Sequence, residues 1–331
     1  MKTTAYRIGL LSLLLLLGQS VQQRIDDLPA TGGAVYLASG TYRMDFPLNL
    51  RGRQQVMIRG DGPCTVLLFV YPEAHKGFPL IDMTGARSCT LRDLSIRTGG
   101  PNYPSCALLL ARIDPNKSSE AHRFDRLTIR ANCTVANVVN FGSEVNTWTS
   151  CTFWNAAAGG GNYLTGRNVS HGITSPFGPL QGGSNVVHNF FGCTFNVYGR
   201  TGTEVNVTLN RGSGYVYFYG GSMTSKARDR ADPATGGLAA FVIGGGEGKK
   251  PVYHVHVDGM EAETWGTRNA IRIVGPTYGL TVRDSLFQSL ESKSKSNTGC
   301  SLRVSSVAKL DAGGSPCCGV KITNESPEAI V

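Results

Sequence analysis

Charge is scarce in this sequence: Asp, Glu, Lys and Arg together make up 17% of 331 residues. Helical bundles and coiled coils lean on charged helix faces, so this scarcity argues against both. None of the nine cysteines forms a C-x-x-C pair, and no Cys/His group has zinc-ligand spacing, so no structural metal is expected. A G-x-S-x-G nucleophile elbow is missing as well. The run Gly244 to Lys250 comes near a phosphate loop. It lacks the Ser/Thr after Gly-Lys, and Ile243 stands where the first glycine belongs, so it reads as a turn. There is no basic helix, and nucleic acid is not an expected partner. Past the first 20 residues, no run approaches the ~20 apolar residues of a membrane span.

What is present is glycine, 42 residues of it, and a net charge of +9. Abundant glycine with few charges suits a β-rich chain with many tight turns. The first 20 residues have the layout of a secretory signal peptide. Lys2 and Arg7 precede the apolar run Ile8 to Leu17, and Gly18-Gln19-Ser20 offers small residues for cleavage. An uncleaved anchor is the alternative. The expectation is therefore a leader over 1–20, then a single domain over 21–331 that is secreted, extracellular or periplasmic, with no membrane contact after cleavage. A basic exported protein meets acidic glycans or a cell surface more readily than nucleic acid.

One six-residue pattern recurs: apolar, x, x, small or apolar, x, apolar. It begins at Leu91, Phe124, Trp148, Phe190, Phe218, Val257 and Val282, with intervals of 33, 24, 42, 28, 39 and 25 residues. Alternation along a strand sends every second side chain inward. The gap of three breaks that alternation, so the chain must turn there to keep both residues buried. The intervening residues are often Asp, Gly, Ser or Arg, which suits a bend. Strand, sharp turn and strand, repeated, make one corner of a β-solenoid. A second repeat lies between corners. Segments starting at Cys106, Cys133 and Cys300 are mutually similar, and those at Leu238 and Asn269 fall at equivalent places. Cys106 would then stack on Cys133, and Cys151 on Cys193, either as disulfides or as buried thiols. Residues 155–187 and 225–237 depart from the rhythm and read as loop excursions. Such loops either build a binding face or merely cover surface.

Ile25 to Tyr42, with Gly32-Gly33 and Gly40-Thr41-Tyr42, resembles the opening of pectate-lyase-superfamily β-helix proteins, which include phage tailspikes and secreted polysaccharide-active enzymes. Val56 to Pro63 is similar to the next element of that family. The resemblance covers about residues 22–70. It implies an all-β, right-handed parallel β-helix with a short capping helix at 21–29. It also implies polysaccharide substrates and, in the family's lyases, bound calcium. The family's calcium-binding Asp cluster and its Trp-x-Asp-His strand are absent here, so no cofactor is expected.

Coils in register place equivalent residues side by side, ~4.8 Å apart. One outward column runs Thr90, Arg123, Thr147, Asn189, Tyr217, His256, Thr281. Its neighbour runs Arg92, Asp125, Thr149, Phe191, Tyr219, Asp258, Arg283. A uronic-acid lyase needs a base, an acid and a group that neutralises the substrate carboxylate. His256, Tyr217, Arg283 and Asp258 are the candidate catalytic set. Asn189, Tyr219, His254, Trp265, Arg228 and Arg230 are candidates for substrate contact. Outward Tyr and His on a sheet also occur simply as cross-strand stabilisers. The leading expectation is a lyase acting by β-elimination on an acidic polysaccharide or cell-surface glycan. The alternative is a non-catalytic adhesin, fibre subunit or glycan-binding module, with oligomerisation open. A glycoside hydrolase, drawing its two carboxylates from Asp258 and Glu261 or Glu263, comes third.

Overall fold

The computed structural model describes residues 20–166, 172–199, 205–227, 239–245, 250–265, 269–289, 300–304 and 318–322. All of the expected leader (residues 1–20) except Ser20, and the candidates Arg228 and Arg230, lie outside them. The chain is a right-handed parallel β-helix. A 15-stranded sheet and a 9-stranded sheet, each paired in parallel throughout, form its two main walls.

The helix Val21–Asp26 closes the N-terminal end. Ser20 caps it by accepting the Gln23 N–H, and Val21 and Ile25 are buried against the first coils. It covers a strand edge that would otherwise invite pairing with another chain.

The six-residue corner has one physical cause. Its third residue is left-handed in every coil: Asp93, Arg126, Ser150, Gly192, Gly220, Gly259 and Asp284 all have φ between 47° and 64°. Asp, Ser and Gly tolerate that conformation, and a single such residue redirects the strand so that both flanking apolar residues point inward. Arg126 is the exception in residue type. Its guanidinium is held by Asp93 of the preceding coil at 2.6 Å and by its neighbour Asp125 at 3.0 Å. Gly221 follows one of these bends with φ 100°, and a Cβ there would lie 2.1 Å from the Cys193 carbonyl oxygen. This explains why glycine replaces the Leu, Cys, Met or Ser found at that position in other coils.

Inside the corners, Phe124, Trp148, Phe190 and Phe218 stack in register, with successive ring centroids 3.7, 5.8 and 4.7 Å apart. Phe153 and Phe195 form a parallel stack at 4.8 Å. Trp148 and Phe190 are core, as their pattern positions imply.

Cys64, Cys89, Cys106, Cys133, Cys151 and Cys193 are free thiols. Cys151 and Cys193 are neighbours between coils, and burial holds the Cys151 thiol well above its ordinary range. The expected stacking of Cys106 on Cys133 is off by three residues. Cys106 pairs with Ala136, because Cys133 belongs to the connection before the strand Ala136–Asn140.

The segment 155–187 is likewise not all excursion. It contains the strand Gly161–Thr165, a full member of the 9-stranded sheet. The excursion proper folds back over the outer face of that sheet. Ile173 and Leu180 pack on Leu109, Val139 and Leu164. Gln181 exchanges backbone bonds with Arg112, and Arg51 Nη2 donates to the Pro179 carbonyl at 2.6 Å.

Two histidines are sealed inside the corner before the bend. His122 accepts the Cys89 N–H and bonds Ser119 Oγ at 2.7 Å. His188 lies 3.3 Å from the amides of Asn140 and Asn146. Burial pushes both imidazoles down to about 3. Both fall below the ordinary unfolded value of ~6.5. The unfolded chain therefore binds more protons between pH 6.5 and 3, and stability falls as pH drops through that window. The expected slope reaches about 1.4 kcal/mol per pH unit for each histidine. Denaturant melts between pH 7 and 4 check this, and His188→Gln should remove about half of the slope.

Candidate functional site

The strand register makes both outward columns contiguous. Thr147 pairs with Asn189, Asn189 with Tyr217, Tyr217 with His256, and His256 with Thr281. In the second column Phe191 pairs with Tyr219, Tyr219 with Asp258, and Asp258 with Arg283. The patch lies on the segment of the larger sheet that precedes the left-handed bend. Its strands are Asn185–Gly199, Ser213–Ala227, Val252–Asp258 and Thr277–Arg283. Alternation sends Val216, Phe218, Val255 and Val257 into the core and leaves Tyr217, Tyr219, His256 and Asp258 facing out.

The rings make a continuous surface. Phe191 stacks on Tyr219 at 5.2 Å, and the Tyr217 and Tyr219 rings are nearly parallel, 6.1 Å apart. The His256 ring lies 6.2 Å from Tyr217 and 5.6 Å from Tyr219. Phe191 is 41% exposed, a large apolar side chain left open to solvent.

A polar chain crosses this aromatic row. His256 Nε2 lies 3.5 Å from Asp258 Oδ2, and the same oxygen is ion-paired with Arg283. The three side chains are 22%, 18% and 48% exposed. The Arg283 guanidinium, with a smaller contribution from His256, holds the Asp258 carboxyl below its ordinary range. Asp258 therefore stays ionised and accepts from Nε2–H. That tautomer leaves Nδ1 as the basic nitrogen. Partial desolvation, with Tyr219 and Tyr215 nearby, raises the Tyr217 hydroxyl above the ordinary phenol range. It holds its proton at neutral pH and suits proton donation, not abstraction.

Several expectations change. His254 does not continue the outward row as the next residue of a regular strand. It sits on a corner with φ 47° and stacks on Tyr215 at 4.9 Å. Arg283 is not a free carboxylate clamp, because Asp258 already holds it. The excursion within 155–187 packs on the 9-stranded sheet and not over this patch. Trp265 lies in the strand Glu261–Trp265, paired with Lys226, beyond the bend at Gly259 and so outside the patch. Glu261 is exposed past the same bend.

The residue that sequence reasoning passed over is Tyr215. Its partner His254 follows by coil register, and the signal was its position two residues before Tyr217. Among the described residues, no group of three or more His, Cys, Asp or Glu is placed to hold a metal ion. No helix among them is long and apolar enough to cross a membrane.

No family model and no curated protein matches the chain. Among solved structures it is similar to the catalytic domain of a GH87 α-1,3-glucanase in complex with nigerose. That match has 14% identity and a TM-score of 0.38, covering 93% of this chain and 67% of that one. It is also similar to the A-module of the mannuronan C-5 epimerase AlgE6 of Azotobacter vinelandii. There the identity is 15% and the TM-score 0.30, covering 92% and 95% of the two chains. At these values the likeness assigns neither an activity nor a site residue.

Proposed function

We propose that the face bearing Phe191, Tyr217, Tyr219 and His256 binds a chain of uronic-acid sugars and cleaves it by β-elimination. The observation that carries this reading is the chain from His256 through Asp258 to Arg283, set against the Tyr217 hydroxyl one coil away. Phe191 and Tyr219 offer flat faces to pyranose rings. His256 Nδ1 takes the proton from the carbon next to the carboxylate. The electron pair of that C–H bond becomes the new C=C bond as the glycosidic C–O bond breaks. Tyr217 donates its proton to the departing oxygen. Arg283, paired with Asp258 and 3.8 Å from Asp284, meets the substrate carboxylate by giving up one of these partners.

The test incubates the purified protein with pectate, alginate and glycosaminoglycans and follows the ultraviolet absorbance of unsaturated uronate ends. Absorbance rising with at least one polymer is expected. No unsaturated product across the panel would sink the lyase reading.

One observation favours a second reading. Because Asp258 already pairs with Arg283, the patch is also self-satisfied as a plain sheet face, which suits a glycan-binding module or adhesin. Binding without turnover would select that reading, and reducing-sugar release without unsaturated ends would select a hydrolase. Export through a leader over residues 1–20 is part of the proposal. A mature protein from the native host that begins near Val21, read by mass spectrometry, is the expected result.

A further inference from the structure

A second outward column runs along the facet beyond the left-handed bend. Register places Leu68, Arg97, Arg130, Trp154 and Asn196 side by side on successive coils. The Arg130 guanidinium lies over the Trp154 ring, 5.7 Å from its centroid. Tyr198 sits against the far side of this group, its ring 5.6 Å from Trp154. Arg130 is exposed, and Arg97, Trp154 and Tyr198 are half-buried.

Among the described residues, these two arginines lack the carboxylate partner that six others in the solenoid have. Arg53, Arg87, Arg92, Arg112, Arg126 and Arg283 each have a carboxylate partner within 4 Å. Arg97 and Arg130 have none among the described residues, and Arg97 Nε is buried without a hydrogen-bond acceptor. Like charges on directly opposed strand positions destabilise a sheet. The next acidic residue of the column, Glu263, lies four coils beyond Arg130, through Trp154, Asn196 and Thr224. That is roughly 19 Å at the strand spacing. Two guanidiniums one coil apart therefore carry an uncompensated charge beside an aromatic face.

We infer that Arg97, Arg130, Trp154 and Tyr198 form a second saccharide site that takes an anionic sugar. The guanidiniums hold its carboxylate or sulfate oxygens, and Trp154 with Tyr198 supports the ring. Guanidinium geometry matches both anions, and half-buried aromatics stack on either sugar. This inference rests on the ligand being a polysaccharide, but not on its being cleaved. Facing a different side of the prism and lying toward the N-terminal coils, the site would anchor a polymer away from the His256 face.

The experiment measures binding by calorimetry in the His256→Ala protein, so that no ligand is consumed. The probes are an oligogalacturonate, a heparin-derived oligosaccharide and a neutral malto-oligosaccharide of equal length. In the Arg97→Gln/Arg130→Gln protein, affinity for at least one charged probe should fall about tenfold or more, while neutral-probe binding is unchanged. The weaker of the two charged probes identifies the anion that the site prefers less. Because Arg97 is half-buried, exposed Arg130→Glu alone serves as the variant least able to disturb folding, and it should give the same direction of change. Wild-type affinity for both charged probes in Arg130→Glu, or no charged-probe binding by the parent, would overturn the inference. Failure of the lyase reading appears separately, as absent unsaturated ends with charged-probe binding intact.

Discussion

Replacing His256 with alanine should lower the rate of β-elimination by about 10²–10⁴-fold while leaving the fold unchanged. The size follows from the ordinary contribution of a positioned general base. The fold is spared because His256 faces outward from the strand Val252–Asp258, whose inward residues Val255 and Val257 carry the packing. Tyr217→Phe separates the roles. It keeps the ring that lies against Tyr219 and removes only the hydroxyl, so kcat should fall with KM little changed. Asp258→Asn should cost less than His256→Ala, since the amide still meets Nε2 but no longer fixes the tautomer or holds Arg283. Steady-state rates of unsaturated-end formation check all three. If His256→Ala kept full activity, the site would be misassigned even with a correct lyase reading.

How far this site was readable in advance follows from what sets each part of it. The register of Asn189, Tyr217 and His256 was legible because the corner pattern repeats the same bend. One left-handed residue per coil fixes which neighbours meet, as Gly192, Gly220 and Gly259 do here. The pairing of Asp258 with Arg283 followed from the same register, but its consequence did not. Adjacency predicts that two charges meet and says nothing about which is left over for a substrate. The Tyr215–His254 pair was missed because both residues are left-handed, and nothing in either residue type announces that.

Longer-range features were harder still. The excursion docks on the 9-stranded sheet through Arg51 and Asp82, which lie about a hundred residues earlier and have no local pattern linking them to it. Cys133 slipped by three residues because a segment of small and apolar residues satisfies several registers when its strand is buried on both faces. The strands Cys106–Leu110 and Ala136–Asn140 are buried at every position, so alternation gave no anchor.

Substituting Asn162 with leucine should destabilise the fold by roughly 3–6 kcal/mol, although the two side chains share the same branched heavy-atom skeleton. Asn137, Asn162 and Asn206 occupy one buried position on three successive coils and pass a hydrogen bond along the solenoid axis. Asn137 Nδ2 donates to Asn162 Oδ1 at 2.7 Å, and Asn162 Nδ2 donates to Asn206 Oδ1 at 2.6 Å. Asn206 then donates to Ser225 Oγ at 2.7 Å. Each amide also donates to a carbonyl of the following coil: Asn137 to that of Trp154, Asn162 to that of Asn196, and Asn206 to that of Thr224. Leucine at 162 strands the Asn196 carbonyl and, deeper inside, Asn206 Oδ1 and one Asn137 N–H. Each unmet buried group costs about 1–3 kcal/mol, which outweighs the stabilisation from burying a more apolar side chain. Asn162→Asp is the informative partner. Its oxygens can still accept from Asn137, but they face the two acceptors that Asn162 now satisfies, so it should be no milder than leucine. Because each coil touches only its neighbours, the damage should also be local. Hydrogen exchange should accelerate first in the strands Ala136–Asn140, Gly161–Thr165 and Val205–Asn210, ahead of the N-terminal coils. Urea midpoints and exchange rates for Asn162→Leu equal to wild type would mean that the ladder is a passenger of the packing around it, not a support.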